Sequence, residues 1–388
     1  MTPLLKKILG LNWVLVIVMY LITIFGVLAI ESAARHFTRM DLSGDWFAER
    51  QTWWILGGSV VYFVTALIDY RWIKWLGPPL YLVGLALMIY SLQVDDEVHQ
   101  ITVGPIRFQP AQLMISAGII LMGFLLQSLP KLSWVFGLPI VRLLIVGVLS
   151  GVPFLLVVMT GDMGSAIVWL PVAGITLLVG GLPFRYMALF TLLGLGFLPI
   201  AHKVVLPAVS ERGTERIEIF LKMQRGEEVN ISDAAYAPYW VSTAVGKAGW
   251  KGVGWKATEE EGSLHAKAFI PWKTAHNDFV FAVFAEEWGF RGSMLLVTAY
   301  ALLLIQCIFI AFYSRDLSGR VIVCGVVALF FAHLFENVGM CVLLMPITGI
   351  PLPLFSYSGT FMVMCLFLLG LVQSVWVHRN SDEDLKEA

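Results

Sequence analysis

Residues 273–290 read KTAHNDFVFAVFAEEWGF, a polar segment that runs directly into an apolar one. The stretch carries three carboxylates, those of Asp278, Glu286 and Glu287, to the mouth of a long apolar run. A charge at the centre of a bilayer costs roughly 2.5–3.5 kcal/mol on insertion scales. Carboxylates in such a place usually line a cavity, bind an ion or take part in chemistry, so we expect the function to reside here.

The composition indicates a membrane protein. Of the 388 residues, 58% are hydrophobic and 14% are charged, whereas a soluble domain has roughly 45–50% apolar and 25% charged residues. The excess apolar surface needs lipid around it. The net charge of −1 and the lack of a basic motif give no reason to expect a nucleic-acid partner. We therefore predict a chain that crosses a membrane many times.

The apolar runs suggest about ten transmembrane helices, because a helix that crosses the hydrocarbon core needs about 20 residues. The runs lie near residues 12–30, 52–68, 78–92, 110–129, 139–159, 164–182, 186–206, 279–312, 321–345 and 354–377. The eighth run is too long for one straight helix, and Gly289 and Gly292 offer a place for it to break. We predict an all-α polytopic membrane protein that forms a single domain over residues 1–388.

The distribution of Lys and Arg predicts the orientation. If the N-terminus is cytoplasmic, the inner segments hold eleven of these residues and the short outer loops hold four. This asymmetry follows the positive-inside rule, which counts short loops and disregards long ones. Both termini, including a tail at 379–388, are then cytoplasmic. Residues 207–277 form one long extracytoplasmic loop between the seventh and eighth spans.

Further polar motifs fall at the outer ends of the predicted spans. Asp162 lies in the connection MTGDMGS, residues 159–165, where capping of the next helix is the first interpretation and a functional role the second. Gln112 lies at the start of the fourth span, where a helix-end amide is ordinary. Residues 345–360 contain three prolines within eight residues and cannot continue a helix. Non-helical backbone at membrane depth is tolerated only inside protein or along a wet cavity. Asn337 adds a polar group beneath residues 345–360. We therefore expect these motifs to line one outward-facing cavity.

The long outer loop contains the glycine-rich stretch GKAGWKGVGWK at residues 246–256. Glycines permit close approach of the backbone. Lysines such as Lys251, interleaved with tryptophans, suit an anionic head group at a membrane surface, since indole rings favour that depth. A solvated loop that rests on the bilayer explains the same pattern equally well.

In this order, the motifs resemble the SEDS family of cell-wall polymerases, which includes RodA, FtsW and SpoVE, over essentially the whole chain. The most specific likeness is between the family's His-Thr-Asp-Phe-Ile-Phe-Ala-Val-Ile-Ala-Glu-Glu-Leu-Gly block and residues 276–289. Further likenesses lie at residues 108–112, 161–165, 337–340 and 349–360. The wording of the last block is closer to RodA than to FtsW, which favours cell elongation over division.

The resemblance implies a peptidoglycan glycosyltransferase of the bacterial inner membrane that polymerises lipid II, the undecaprenyl-diphosphate-linked disaccharide peptide. It also implies a class B penicillin-binding protein as partner and a divalent cation, Mg²⁺ or Mn²⁺, whose ligands the sequence does not identify. The family's essential aspartate corresponds to Asp278, its Asp-Leu-Gly aspartate to Asp162 and its outer-loop arginine to Arg216. We expect substrate contacts from residues of these motifs, namely Asp162, Arg216, Gln112, Lys251, Lys273, His276, Glu286, Glu287, Asn337 and Ser356.

These residue types suit glycosyl transfer. The 4-hydroxyl of the acceptor's GlcNAc would attack while a polyprenyl diphosphate leaves, and the charge of that leaving group calls for Lys, Arg or a divalent cation. A carboxylate is a weak base unless desolvation raises its pKa. Asp278 lies at the junction of polar loop and apolar span, so we predict that it is the general base. We predict that Asp162 orients the substrate or the cation.

The chain departs from the family pattern at several positions. Gln112 replaces a glutamate, an apolar residue near Ile115 replaces a lysine, His99 and Gln100 replace an Arg-Trp pair, and Ser358 replaces a glycine. A divergent active polymerase is the first interpretation. A flippase or transporter of lipid-linked precursors stays open, because intramembrane carboxylates in an outward cavity also suit transport. A non-catalytic scaffold for the penicillin-binding protein stays open because family residues are lost.

Overall fold

The computed structural model describes residues 3–40, 43–93, 101–103, 106–200, 207 and 211–380, and within them the chain is almost entirely helical. The departures at His99 and Gln100 and the last eight residues of the tail lie outside this part of the chain. The α-helices of the described residues are α1 Pro3–Leu9, α2 Trp13–Ala33, α3 Gly44–Leu67, α4 Tyr70–Ile73, α5 Gly77–Ser91, α6 Pro110–Leu132, α7 Pro139–Met159, α8 Met163–Val179, α9 Phe184–Ile200, α10 Glu211–Gln224, α11 Tyr236–Lys247, α12 Val280–Phe312, α13 Leu317–Cys341 and α14 Gly359–Val377. Short 3₁₀ segments lie at Arg35–Met40, Lys74–Leu76, Trp134–Gly137 and Asp233–Ala235.

A two-stranded hairpin precedes α6. Strand β1, Ile101–Val103, pairs antiparallel with β2, Ile106–Phe108, and Ile101 lies opposite Phe108. This hairpin was not predicted from the sequence, because strands of three residues leave too short a pattern to recognise. It leads the chain into Gln109 and the start of α6.

Seven helical segments of the described residues are long and apolar enough to cross a membrane: Trp13–Phe37, Tyr70–Ser91, Pro110–Leu132, Pro139–Met159, Val280–Phe312, Leu317–Cys341 and Gly359–Val377. The all-helical membrane architecture is therefore confirmed. Helices α3, α8 and α9 coincide with the remaining predicted spans but do not belong to that set. The total of ten spans stays a prediction.

Helix α3 begins eight residues earlier than the predicted span at 52–68. Ser43 caps it, and its side chain accepts a hydrogen bond from the Trp46 amide at 3.2 Å. Asp45, Glu49 and Arg50 in the first turns gave this part the appearance of a loop. The cap and the packed apolar residues that follow outweigh those charges.

Helices α13 and α14 form the centre of the bundle. In each, 67% of the apolar window is buried, against 28% for α7. Small residues allow α14 to lie close against α3, because a Cβ on Gly370 would stand only 2.8 Å from the Tyr62 carbonyl oxygen. Helix α13 packs against α6, α8 and α12. Its C-terminal end meets the turn before α12, where the polar motif lies, because Asn337 donates a hydrogen bond to the Asp278 carbonyl.

Helix α12 is broken at Gly289, as the sequence predicted, while Gly292 stays helical. Gly289 has φ 66° and ψ −164°, a conformation that is essentially restricted to glycine. The carbonyls that the break releases are not left unpaired. Val253 N donates to Glu286 O and Gly254 N donates to Glu287 O, both at 3.0 Å. The glycine-rich loop therefore packs on the kink and completes its hydrogen bonding.

Candidate active site

Asp278 ends a tight turn that leads into α12. Its amide and that of Phe279 donate to the Thr274 carbonyl at 3.0 and 3.1 Å. The Asp278 side chain is partly exposed. The Asn337 amide nitrogen, deep in α13, donates to the carbonyls of Asp278 and Ile350 at 2.9 and 2.8 Å. Asn337 thus joins this turn to residues 345–360, the proline-rich segment.

Asp162 caps α8 and also belongs to this site. One carboxylate oxygen accepts from the Ser165 amide at 3.0 Å, and the other accepts from the Gln109 side chain at 2.6 Å. The predicted capping is confirmed. The same end of α8 packs on the proline-rich segment, because a Cβ on Gly164 would stand 3.0 Å from the Thr348 Cβ. Capping and a place in the site are therefore compatible.

Three of the charged residues singled out in the sequence come together. Arg216 of α10 donates to the Ile347 carbonyl at 3.4 Å, which places its guanidinium over the proline-rich segment. Burial and the charge of Asp162 together raise the pKa of Asp278 to about 7, against the opposing charge of Arg216. Burial also raises the pKa of Asp162, against the hydrogen bonds from Ser165 and Gln109 and the charge of Arg216.

Glu336 is a site residue that the sequence analysis passed over. It is 2% exposed and precedes Asn337 directly, and the Thr348 side chain is the polar group that interacts with its carboxylate. Asp162 is close enough to repel it electrostatically. A glutamate inside an apolar span is itself a functional signal, so the sequence did contain the means to find it. Gln109 was missed too, and its pairing with Asp162 leaves no trace in the sequence.

Gln112 lies at the edge of this cluster, one turn beyond the start of α6. It is 5% exposed, and its amide nitrogen has no hydrogen-bond partner in the described part of the chain. Since Gln109 holds Asp162, the start of α6 borders the site. Its amide nitrogen therefore donates to neither Asp162 nor Asp278.

His276 and Ser356 hold the walls of the site. The His276 ring packs among aromatic rings, with centroids 5.0, 4.6 and 5.2 Å from those of Phe37, Phe47 and Tyr357. Burial lowers the pKa of His276 to about 4, so its ring is neutral. The Ser356 hydroxyl accepts from the Leu352 amide at 2.8 Å and keeps the proline-rich segment folded.

Glu286 and Glu287 lie elsewhere, roughly 9–11 Å along the α12 axis from its first residue, Val280, at 1.5 Å per residue. Glu286 accepts hydrogen bonds from the Ser263 hydroxyl and from the Leu264 and His265 amides, at 3.2, 2.5 and 3.1 Å. Glu287 accepts from the Ser32 hydroxyl and the Lys256 amide. Both carboxylates fasten the outer loop to α2 and α12.

Lys251 and Lys273 are both exposed. Lys251 belongs to the loop that packs on Gly289, and Lys273 lies over the Trp272 ring, 5.6 Å from its centroid. Neither forms an ion pair with a carboxylate of the described residues. Neither ammonium group therefore forms an ion pair with Asp278.

The described residues contain no cluster of three or more His, Cys, Asp or Glu side chains arranged to hold a metal ion. Both Asp162 oxygens already accept hydrogen bonds. A cation at this site would therefore have to take most of its ligands from substrate and water, as Mg²⁺ commonly does beside phosphates.

Comparison with known proteins places the chain among bacterial relatives along its length. A family model described as "Cell cycle protein", built on FtsW, RodA and SpoVE, matches residues 12–381. The peptidoglycan glycosyltransferase MrdB of Escherichia coli K12 is 28% identical over 342 residues, which cover 86% of each chain. The peptidoglycan glycosyltransferase RodA of Treponema pallidum is 24% identical, with 94% of this chain and 97% of that protein covered.

Solved structures agree with the sequence comparisons. One is a chain of a peptidoglycan synthase complex that coordinates polymerization and crosslinking, with a TM-score of 0.74 and 26% identity over 96% of this chain and 99% of that chain. Another is the rod shape determining protein RodA of Thermus thermophilus, with a TM-score of 0.66 and 26% identity over 96% and 98% of the two chains.

Proposed function

This chain belongs to the FtsW, RodA and SpoVE family of cell cycle proteins, and we propose that it is a peptidoglycan glycosyltransferase that polymerises lipid II. The relatives that carry this activity in their names match it along most of its length. The sequence of residues 349–360 is more similar to that of RodA than to that of FtsW, which favours a role in cell elongation. Its place is the bacterial inner membrane, with both termini cytoplasmic and residues 207–277 outside.

The observation that carries the proposal is the setting of Asp278. Its carboxyl is accessible enough to meet a substrate, yet burial and the neighbouring Asp162 raise its pKa to about 7. A general base works best when its pKa lies near the working pH. An ordinary surface aspartate, with a pKa near 4, would be too weak a base for a sugar hydroxyl.

In the proposed reaction, the Asp278 carboxylate takes the proton from the 4-hydroxyl of the acceptor's GlcNAc. That oxygen forms a bond to the anomeric carbon at the end of the growing strand, while the bond from that carbon to the polyprenyl diphosphate breaks. The leaving diphosphate carries the negative charge away. Arg216 supplies positive charge on the same side of the site, and Asp162 orients the acceptor or a cation.

A divalent cation is part of the proposal and is assigned no step. Phosphate oxygens of the substrate and water, with Asp162 as the nearby carboxylate, would hold Mg²⁺ or Mn²⁺, because these ions accept few protein ligands beside phosphates. The ion would offset the charge of the diphosphate.

The departures from the family pattern are compatible with activity. Ile115 is fully buried and packs in the apolar core, so the lost lysine leaves no cavity. Gln112 retains a hydrogen-bonding amide beside the pair of Gln109 and Asp162. Position 112 has lost the carboxyl of the family glutamate, but Glu336 supplies another buried carboxyl at this site.

Asp278→Ala tests the proposal. The protein is purified with a class B penicillin-binding protein and supplied with labelled lipid II and Mg²⁺ or Mn²⁺, and glycan strands are separated by gel electrophoresis. We expect wild type to make strands and Asp278→Ala to make none. Glu228→Ala, which removes an exposed carboxylate of the outer loop, is the matched control and should retain wild-type activity.

Equal product from wild type and Asp278→Ala would exclude Asp278 as the base. Transport of labelled lipid II across vesicle membranes without strand formation would favour a flippase. Binding of the penicillin-binding protein with neither activity would favour the scaffold, in which case the lost family residues at positions 112 and 115 become the explanation.

A further inference from the structure

A basic cavity lies at the opposite end of α6 from the candidate site. Helix α6 starts beside Asp162, and its 23 residues carry the chain about 34 Å to Leu132 at 1.5 Å per residue. There a cavity of about 490 Å³ opens between α6 and the connection from α3 to α5. Its lining residues are Arg71, Trp72, Lys74, Trp75, Ser128 and Lys131. None of them takes part in the proposed reaction.

We propose that this cavity binds the phosphate-bearing head group of an anionic phospholipid. A volume of this size lies within the range of small-molecule sites. Basic pockets between transmembrane helices are a recurring form of anionic-lipid site. With the proposed orientation, the lipid belongs to the cytoplasmic leaflet.

The charge of the cavity is only partly compensated. Arg71 pairs with Asp69, with the guanidinium 2.6 Å from the carboxylate. Lys74 and Lys131 have no acidic partner within the described part of the chain. Two ammonium groups and the Ser128 hydroxyl are therefore available to a phosphate.

Lys74 is held in place by a network that reaches α13. The Asp316 carboxylate accepts hydrogen bonds from the Tyr70 hydroxyl and the Gln127 amide, both at 3.0 Å. The side-chain amide oxygen of Gln127, Oε1, in turn accepts a hydrogen bond from Lys74 Nζ at 3.1 Å. Since an ammonium has three donors, two remain for a ligand. A fixed cation loses less side-chain entropy on binding than a freely moving one.

The rim of the cavity is aromatic and apolar. Trp72 and Trp75 are 75% and 61% exposed, and Leu132 and Trp134, which follow the lining residue Lys131 in the chain, are 76% and 75% exposed. Indole rings concentrate at the depth of lipid head groups. A basic floor with such a rim matches a lipid, whose phosphate meets the lysines while its glycerol and acyl chains lie against the tryptophans. A free phosphate ion would make no use of the rim.

Native mass spectrometry in detergent tests the site. Purified protein is titrated with phosphatidylglycerol or phosphatidylcholine, and retained lipids are counted. We expect wild type to retain one phosphatidylglycerol more tightly than phosphatidylcholine, and Lys74→Gln with Lys131→Gln to lower that affinity roughly 10- to 30-fold. The control, Arg185→Gln with Arg315→Gln, removes the same charge from exposed positions outside the cavity and should retain the lipid.

Equal retention of both lipids, or equal loss in both double variants, would overturn the inference. Displacement of phosphatidylglycerol by an equal concentration of inorganic phosphate would assign the cavity to a free anion instead. A thermal unfolding midpoint within about 2 °C of wild type shows that the variants are folded. Retention of phosphatidylglycerol in detergent does not depend on Asp278. A negative result in this experiment therefore leaves the proposed function untouched, and an inactive Asp278 leaves this proposal untouched.

Discussion

Asp278 owes its chemistry to neighbours that are far away in the sequence. Asn337 holds its backbone, Asp162 repels its negative charge, and Arg216 stabilises it. The aspartate could be singled out from residues 273–290 alone, because a carboxyl where a polar segment enters an apolar one is costly unless it is used. Its proton affinity could not, since that depends on the distance to charges on other helices.

The rate of glycan synthesis should therefore rise with pH. Asp278 acts as a base only when ionised, and burial raises its pKa to about 7. We expect kcat/KM of the wild type to increase between about pH 6 and pH 8 and then to level off. Glu228→Ala should give the same profile. A rate that is constant from pH 5 to pH 9 would contradict the assignment of Asp278 as the base.

The same raised pKa makes a prediction about stability. Ionisation of Asp278 opposes folding, because the folded-state pKa of about 7 lies above the ordinary value of 3.8. The contribution of the neutral Asp278 carboxyl to the free energy of unfolding is fully present below about pH 4 and is lost as the pH rises through 7. Asp278→Asn cannot ionise, so thermal unfolding should show it gaining on wild type over this window. A constant difference between the two would exclude the raised pKa.

Glu336 should be a residue at which function costs stability. Its carboxyl is 2% exposed inside an apolar span, with the Thr348 side chain as its polar neighbour, and burial of an ionisable group opposes folding. We expect Glu336→Leu to raise the thermal unfolding midpoint by about 2–5 °C and to lower strand synthesis at least tenfold. Glu336→Gln should recover part of the activity if hydrogen bonding to substrate is its role. A less stable, fully active Glu336→Leu would instead make it a structural residue.

At the scale of elements, the break in α12 joins the outer loop to the bundle. Sequence reasoning located the break because a run of this length rarely stays straight and glycine is where it bends. It did not foresee that the glycine-rich loop would satisfy the released carbonyls of Glu286 and Glu287. That pairing joins residues 33 positions apart in the sequence, and no local pattern encodes it. The glycines of residues 246–256, which the sequence suggested belong to a membrane-surface motif, therefore also have a structural role.

Gly289→Ala should destabilise the protein strongly. Alanine is disfavoured at φ 66° and ψ −164°, and its Cβ would collide with the Gly252 amide. We expect the thermal unfolding midpoint to fall by roughly 5 °C or more. Gly246→Ala in α11 is the control, because a Cβ there meets nothing within 4 Å and helical alanine is favourable. Equal stability of the two variants would mean that the break is dispensable.

Glu286→Ala should loosen the outer loop while leaving the bundle folded. The carboxylate holds Ser263, Leu264 and His265, and its removal leaves two backbone amides without their acceptor. We expect trypsin to cut after Lys256 or Lys267 at least about tenfold faster than in wild type. Glu260→Ala, an exposed change in the same loop, should leave the rate unaltered. Unchanged protection in Glu286→Ala would exclude the anchoring role and return Glu286 to the candidates for substrate binding.

At the scale of the whole molecule, hydropathy predicted the architecture because lipid requires every backbone polar group to be paired inside a helix. That requirement explains why the spans of α6, α12, α13 and α14 match the predicted runs closely. It cannot rank helices by burial. The central place of α13 and the outer place of α7 depend on side-chain packing, and both helices read as equally apolar runs. The meeting of Asp162, Asp278 and Glu336 depends on the same packing.

The orientation of the bundle is the last prediction and links both ends of α6. From the positive-inside rule we expect the tail and the basic cavity on the cytoplasmic side and Asp278 on the outer side, where the proposed polymerisation would take place. A membrane-impermeant maleimide should label Glu228→Cys in intact spheroplasts and Lys386→Cys only after permeabilisation. Wild type is a low-background control, since Cys307, Cys341 and Cys365 are buried and Cys324 is partly buried. Labelling of Lys386→Cys in intact spheroplasts would invert the bundle, put Asp278 in the cytoplasm and remove the proposed polymerase site from the face on which glycan strands grow.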